Sequence, residues 1–272
     1  MESIILLNLL HDVENIARNT GKNILLPAFI SQTSTQTTKK DGSIVTETDQ
    51  LCQDFIQTEL KKISANIDFL GEEMSPEEQL SCLHQGKRFW CVDPLDGTGN
   101  FATPMPLFAI SIGLIEHGKP VLACVYDPIR DEMFSAIKGE KLILNGSPTA
   151  LVSYQKPLSQ SIGFVDFKRL QSPLAADLAT HQYYRSQRNL GTCALEWAWL
   201  AVGRAQFIVH GGQKLWDYAA GLLLAEASGC SVSDFKGNHP FEHSQLSSPI
   251  VATSTSALAE EWKLILSKHA NG

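Results

Sequence analysis

The sequence predicts an α+β fold, on three observations. A meander of β-like runs fills the middle of the chain: Phe108 to Ile115, Val121 to Tyr126, Met133 to Ile137 and Lys141 to Leu144, with turns at Gly118-Lys119-Pro120 and Asp127-Pro128. Helical periodicity frames this meander, from Glu2 to Phe29 before it and from Ala257 to Lys268 after it. Strands and helices do not alternate strictly and no Gly-x-Gly-x-x-Gly follows a strand, which argues against a dinucleotide-binding fold.

In chain order, Glu2 to Phe29 reads as one long amphipathic helix or two, with Gly21 and Pro27 as breaks. Ser31 to Thr38 is rich in serine and threonine without apolar period, and reads as a mobile surface loop. Lys39 and Lys40 lead into a turn at Asp41-Gly42. Thr46, Thr48 and Asp49 stand where a helix begins, its apolar face drawn from Leu51, Phe55, Ile56 and Leu60. Ile67 to Leu70 is a short strand ending at Gly71-Glu72-Glu73, and Trp90-Cys91-Val92 a buried one ending at Asp93. Polar, proline-containing sequence from Gly146 to Lys156 divides the chain into a first half over 1–150 and a second over 151–272.

The second half alternates strand and helix. Ser161 to Val165 is strand-like, Leu174 to Thr180 is helical, and Tyr183 to Leu190 leads to Gly191-Thr192. Thr192 can cap a helix carrying Ala194, Leu195, Trp197, Trp199 and Leu200, which Gly203 ends. Gln206 to Val209 forms a strand, His210-Gly211-Gly212 a loop, and Trp216-Asp217 opens a helix that stops at Gly229. Strands at Cys230 to Val232 and Ile250 to Ala252 precede the last helix.

Composition narrows the function. At 272 residues and 43% hydrophobic content the chain can bury a substantial core. A net charge of -7 argues against general nucleic-acid or membrane-surface binding, which selects basic patches. Six scattered cysteines without a Cys-x-x-Cys pair read as small buried hydrophobes of a reducing compartment. The apolar N-terminus has an early acid, no basic region and no small-residue cleavage site, so the expected location is the cytoplasm, with no membrane partner.

The chemistry concentrates at Asp93-Pro94-Leu95-Asp96-Gly97-Thr98, where two aspartates end an apolar run. Anions this close raise each other's pKa unless a cation lies between them, and hard divalent ions such as magnesium take oxygen-only ligand sets. Gly97 permits close approach of a ligand, and the amides of Gly97 and Thr98 at a helix start favour an anion such as phosphate. Aspartate, proline and glycine also form turns unaided. What shifts the balance is a set of acids elsewhere: Asp49 closing Val45-Thr46-Glu47-Thr48-Asp49, Glu72 and Glu73 after Gly71, and Asp217 after Trp216.

With Gly191-Thr192 and Trp216-Asp217-Tyr218-Ala219-Ala220-Gly221, these stretches in this order resemble the inositol monophosphatase family of magnesium-dependent, lithium-sensitive phosphatases. The resemblance covers essentially the whole chain. It implies a layered αβαβα sandwich of the inositol monophosphatase / fructose-1,6-bisphosphatase type, with the site between the halves. The first half would carry most metal ligands, and the second would supply Asp217 and the substrate pocket.

The resemblance also implies roles. One magnesium would be held by Glu72, Asp93 and the carbonyl of Leu95, a second by Asp93, Asp96 and Asp217, and a third more weakly near Glu72. Thr98 would position the attacking water, Asp49 would orient the Thr98 hydroxyl, and Glu72 would help accept the proton. Asp96, Gly97, Thr98, Cys193 and His210 would contact substrate, with Cys193 not acting as a nucleophile. A homodimer inhibited by lithium is the implied state.

Two positions depart from the pattern. His210 stands seven residues before Asp217, where family members acting on inositol phosphates usually carry a glutamate, and Cys193 replaces a common alanine. Asn100-Phe101 agrees with the inositol-phosphatase branch. The leading expectation is hydrolysis of inositol monophosphate or a similar small phosphate monoester. The alternatives are 3′(2′),5′-bisphosphate nucleotidase, histidinol phosphatase or fructose-1,6-bisphosphatase activity, and, outside enzymes, a partner-binding regulatory module.

Overall fold

The computed structural model describes residues 2–32, 36–38, 44–149, 156–242 and 245–269, so Lys39, Lys40 and the Asp41-Gly42 turn lie outside the described residues. Helix α1 (Glu2–Thr20) passes through a π-helical turn (Gly21–Leu25) into α2 (Leu26–Ser31). A hairpin of β1 (Gln36–Thr38) and β2 (Ile44–Thr46) leads to α3 (Glu47–Ile63). Then come β3 (Asp68–Gly71), α4 (Pro76–Gln85), β4 (Arg88–Asp96), α5 (Thr98–Ala102), β5 (Ala109–Glu116), β6 (Lys119–Asp127), β7 (Glu132–Ile137), β8 (Ile143–Leu144) and β9 (Ser147–Pro148). The second half runs through β10 (Ile162–Asp166), α6 (Ser172–Thr180), β11 (Ser186–Arg188), α7 (Cys193–Ala201), β12 (Phe207–Lys214), α8 (Leu215–Ala227), β13 (Ser231–Ser233), β14 (Ser247–Thr253) and α9 (Ser256–Ser267).

Strands β3 to β9 form a seven-stranded sheet in sequence order, antiparallel except for the β3–β4 pair. Strands β10 to β14 form a five-stranded sheet in the order β11-β10-β12-β14-β13. Helices cover both faces of each sheet, which is why the strands read as continuous apolar runs. On one face of the larger sheet, Val13 and Ala17 of α1 and Ile56 of α3 pack against Val92, Ile112 and Cys124. On its other face, Leu195 and Ala198 of α7 and Leu223 of α8 meet Ala123 and Phe134. Trp197 and Leu222 of that same helix pair meet Phe164 and Ile208 of the smaller sheet. The far side of the smaller sheet buries Val165 and Val209 against Leu174 of α6 and Trp262 of α9. Neighbours Phe164 and Val165 thus serve opposite layers, as a period of two requires. The result is an α+β sandwich layered αβαβα.

Three local expectations change. Gly21 and Pro27 do not break the N-terminal helix: the extra residue is absorbed in the π turn, and Pro27 sits in the first turn of α2, where its missing N–H costs nothing. Within the stretch read as a mobile loop, Gln36–Thr38 is a strand paired with Ile44–Thr46. The segment His210-Gly211-Gly212 lies inside β12 rather than in a loop. Gly211 serves close approach, not turning: a Cβ there would come within 1.9 Å of the Arg169 carbonyl oxygen. The cysteines are all free, and Cys52, Cys91 and Cys124 are buried.

Candidate active site

Residues three apart on a regular strand point to opposite faces, yet Asp93 and Asp96 share one. The pairing explains this: Asp93 is opposite Ser111 and Asp96 opposite Ala109, so β4 carries one extra residue, a bulge at the Pro94-Leu95 step. The Leu95 amide closes the bulge by donating to Asp93 Oδ1 at 3.0 Å. Gly97 then turns the chain with φ +94°, where a Cβ would press on the Leu107 carbonyl oxygen at 3.0 Å.

The third acid comes from the other half. Asp217 occupies the third position of α8, and the Lys214 amide donates to its Oδ2 at 2.9 Å. The Ser111 hydroxyl ties β5 to this turn by donating to the Trp216 carbonyl at 3.2 Å. One oxygen from each of Asp93, Asp96 and Asp217 lies within 4.8 Å of the others. Glu72 hydrogen-bonds Asp93 from the turn after β3. That turn is held from two sides, by Gln53 accepting the Glu73 amide at 2.9 Å and by Gln79 donating to the Gly71 carbonyl at 2.9 Å.

Around these acids the hydroxyl network is ordered. Thr98 Oγ1 lies 2.8 Å from Asp49 Oδ1 and 3.1 Å from the Leu95 carbonyl. Asp49 is buried and also closes the N-terminus of α3, taking the Thr46 amide on Oδ2 at 2.8 Å. Thr192 stands at the cap of α7 as expected, but its hydroxyl does not cap: it donates to Asp96 Oδ2 at 2.5 Å, beside the Ala194 amide at 2.6 Å.

Burial, then the charges of Glu72, Asp96 and Asp217, push Asp93 well above the carboxylate range. Burial raises Asp217 in the same way, with Asp96 and Glu72 adding to it. Burial lifts Asp96 to about 6, although the hydrogen bonds from Thr192 and the Ala194 and Cys193 amides pull it down. Three crowded carboxyls that resist ionisation are what a hard divalent cation relieves, so the donor set fits magnesium.

A cavity of about 1000 Å³ opens over this cluster and carries Glu72, Gly97, Thr98, Cys193 and His210 on its walls together with the three aspartates and Leu95. Burial first, and then the carboxylates of Asp217 and Asp96, push the Cys193 thiol far up, which suits a wall residue and not a nucleophile. His210 is buried, with both ring nitrogens engaged: Nδ1 takes the Gly212 amide at 3.1 Å, and Nε2 lies 3.4 Å from Asp166 Oδ2. Sequence reasoning missed Gln53, Gln79, Asp166 and Glu196. Glu196 is a buried acid of α7 whose Oε1 takes the Leu190 amide at 2.8 Å.

The model of the "Inositol monophosphatase family" matches residues 9–269. The chain belongs to the inositol monophosphatase family. It is similar to Inositol monophosphatase 1 of Solanum lycopersicum, 35% identical over 207 residues, covering 74% of this chain and 75% of that one. It is also similar to the Nus factor SuhB of Xylella fastidiosa, 31% identical over 226 residues, covering 81% and 80%. Among solved structures, one of an IMPase/NADP phosphatase complexed with Mg2+ and phosphate superimposes with a TM-score of 0.78 at 26% identity, over 91% of this chain and 90% of that one. As a member of this metal-dependent family the chain is an inositol-monophosphatase-like phosphoric monoester hydrolase. Among the described residues no helix is long and apolar enough to cross a membrane.

Proposed function

We propose that the enzyme hydrolyses inositol monophosphate, or a similar small polyol phosphate, in a magnesium-dependent reaction with water as the nucleophile. The observation that carries this is the meeting of Asp93, Asp96 and Asp217 within 4.8 Å, under a cavity large enough for a phosphorylated ring. Two to three magnesium ions belong to the reading, held by Glu72, Asp93, the Leu95 carbonyl, Asp96 and Asp217. Bound there, magnesium supplies charge neutralisation and a lowered pKa for water.

The chain's own residues supply the rest. Thr98 has one proton and two acceptors in reach, Asp49 Oδ1 at 2.8 Å and the Leu95 carbonyl at 3.1 Å, so its hydroxyl oxygen is left free to orient water. Glu72 takes the proton, and the amides of Gly97 and Thr98 hold phosphate oxygens. Cys193 packs beside the substrate. The site lies between a first half over 1–150 and a second over 151–272. Lithium inhibition, a cytoplasmic location and a homodimer complete the reading, and light scattering tests the dimer.

The test is magnesium-dependent phosphate release from inositol 1-phosphate beside adenosine 3′,5′-bisphosphate, histidinol phosphate and fructose 1,6-bisphosphate, with Asp96→Asn as the blank. Preference for one of the last three moves the substrate to that rival. A second reading, a partner-binding regulatory module, is favoured by the similarity to a protein named Nus factor SuhB. It is sunk if a folded, inactive Asp96→Asn variant reproduces the full loss-of-gene phenotype.

A further inference from the structure

Besides the aspartate cluster, the cavity wall carries an acid that neither the resemblance nor the motifs assign. Asp166 ends β10, and the parallel pairing of β10 with β12 places it beside His210. Gly211 allows this wall to close, because the Arg169 carbonyl occupies the space a side chain would take.

Hydrogen bonding fixes what each partner can offer. The Gly212 amide donates to His210 Nδ1 at 3.1 Å, so in the neutral ring that nitrogen is an acceptor and the proton sits on Nε2. Nε2 lies 3.4 Å from Asp166 Oδ2, with the imidazole side chain only 6% exposed. His210 therefore presents no acceptor to the cavity. Asp166 does: its Oδ1 takes the Lys168 amide at 3.0 Å, which with His210 accounts for two donors, and a carboxylate has about four lone-pair sites.

The charge of Asp166 is also secured. Burial works to raise its pKa, but the hydrogen bond from His210, the Lys168 amide and the Arg169 charge act against it, and the carboxyl is held below its ordinary range. An ionised acceptor, 20% exposed, thus lines the same cavity as the three aspartates.

We propose that Asp166 selects the substrate by accepting hydrogen bonds from its hydroxyl groups, and that His210 is the residue that positions Asp166 rather than a substrate contact. This rests on the phosphatase reading and deepens it: the substrate is a phosphate ester of a polyol with at least one hydroxyl reaching the β10–β12 wall. A carboxylate there rejects a second anion at that point, and it leaves a phosphate ester without hydroxyls unrecognised.

The experiment compares kcat/KM for inositol 1-phosphate with that for phenyl phosphate, which offers no alcohol hydroxyl. In Asp166→Asn the ratio of the two falls about tenfold or more, mostly through the KM for inositol 1-phosphate, because a charged acceptor is lost to a weaker one. His210→Gln, which keeps one donor and one acceptor, holds the ratio within about threefold by the same hydrogen-bond accounting, whereas His210→Leu lowers it as Asp166→Asn does. Melting temperatures confirm that each variant is folded, and should His210→Leu fail to fold, Asp166→Asn decides alone. An unchanged ratio in Asp166→Asn, or equal losses on both substrates, overturns the inference while leaving the phosphatase reading intact. Absence of magnesium-dependent hydrolysis of both inositol 1-phosphate and phenyl phosphate by the wild type overturns that reading and the inference with it.

Discussion

The Thr192 hydroxyl donates to Asp96 Oδ2 over 2.5 Å, joining the start of α7 to the end of β4 across 96 positions of sequence. With the Ala194 amide on the same oxygen at 2.6 Å, it fixes how the Asp96 carboxylate is turned beside Asp93 and Asp217. Partners that orient a ligating carboxylate typically matter about 10–100-fold in metal affinity. Thr192→Val is therefore expected to raise the magnesium concentration for half-maximal activity by about that factor, with saturating magnesium restoring most of kcat. A magnesium titration of phosphate release measures it, and an unchanged midpoint would mean that the Ala194 amide suffices.

Thr98 and Asp49 separate rate from stability. Removing the hydroxyl in Thr98→Val should lower kcat by about 10²–10⁴-fold, the usual range for a positioned proton-handling group, and Thr98→Ser should recover most of it. Asp49 does two jobs, since Oδ1 serves Thr98 while Oδ2 takes the Thr46 amide and hydroxyl at the start of α3. Asp49→Ala should match Thr98→Val in rate and also lose about 1 kcal/mol of cap stability, or roughly 2–4 °C in Tm. A melting curve equal to wild type would show that the capping role is idle.

Glu72, Asp93 and Asp96 were legible because each stands at a strand end beside a glycine or proline, whereas Asp49 and Asp217 sit in first turns of helices and were read through the family resemblance. Asp93-Pro94-Leu95-Asp96 announced a turn, but only pairing with β5 reveals the bulge that brings the two carboxylates to one face. Gln53 and Gln79 gave no signal, since each is one of several polar residues on its helix and its partner lies in the turn after β3. Gly211-Gly212 misled: two glycines read as a loop, whereas they lie within β12 at a register shift against β14, where the Arg169 carbonyl fills the space of a Gly211 side chain. Thr192 was placed correctly at a helix start and given the wrong partner, because the carboxylate it donates to is 96 positions away in the sequence.

Glu196 predicts a pH dependence of stability. Burial, opposed by the Leu190 amide and reinforced by the charges of Asp96 and Asp166, raises its pKa from 4.5 to about 8. The folded protein then holds a proton that the unfolded chain releases, so stability is full below pH 4.5 and falls as pH rises toward about 8. The slope is at most about 1.4 kcal/mol per pH unit for one group. Glu196→Gln keeps the acceptor for Leu190 and cannot ionise, so its Tm advantage over wild type should grow from pH 5 to pH 8 and level off above. Parallel Tm-versus-pH curves would show that Glu196 ionises without cost.

Asp217 is expected to link metal binding to folding. Asp93, Asp96 and Asp217 all resist ionisation when crowded together, so a cation that takes up their charge binds the folded chain and not the unfolded one. Such a ligand stabilises by about 2.7 kcal/mol at a concentration 100 times its Kd, which for a chain of this size is on the order of 5–10 °C in Tm. Wild-type protein stripped with a chelator should gain that much on adding saturating magnesium. Asp217→Asn removes one charge from the cluster and with it most of the need for a cation, so its metal-free form should melt no lower than the stripped wild type and gain little from magnesium. A full magnesium-induced shift in Asp217→Asn would place the stabilising ion elsewhere, between Glu72 and Asp93.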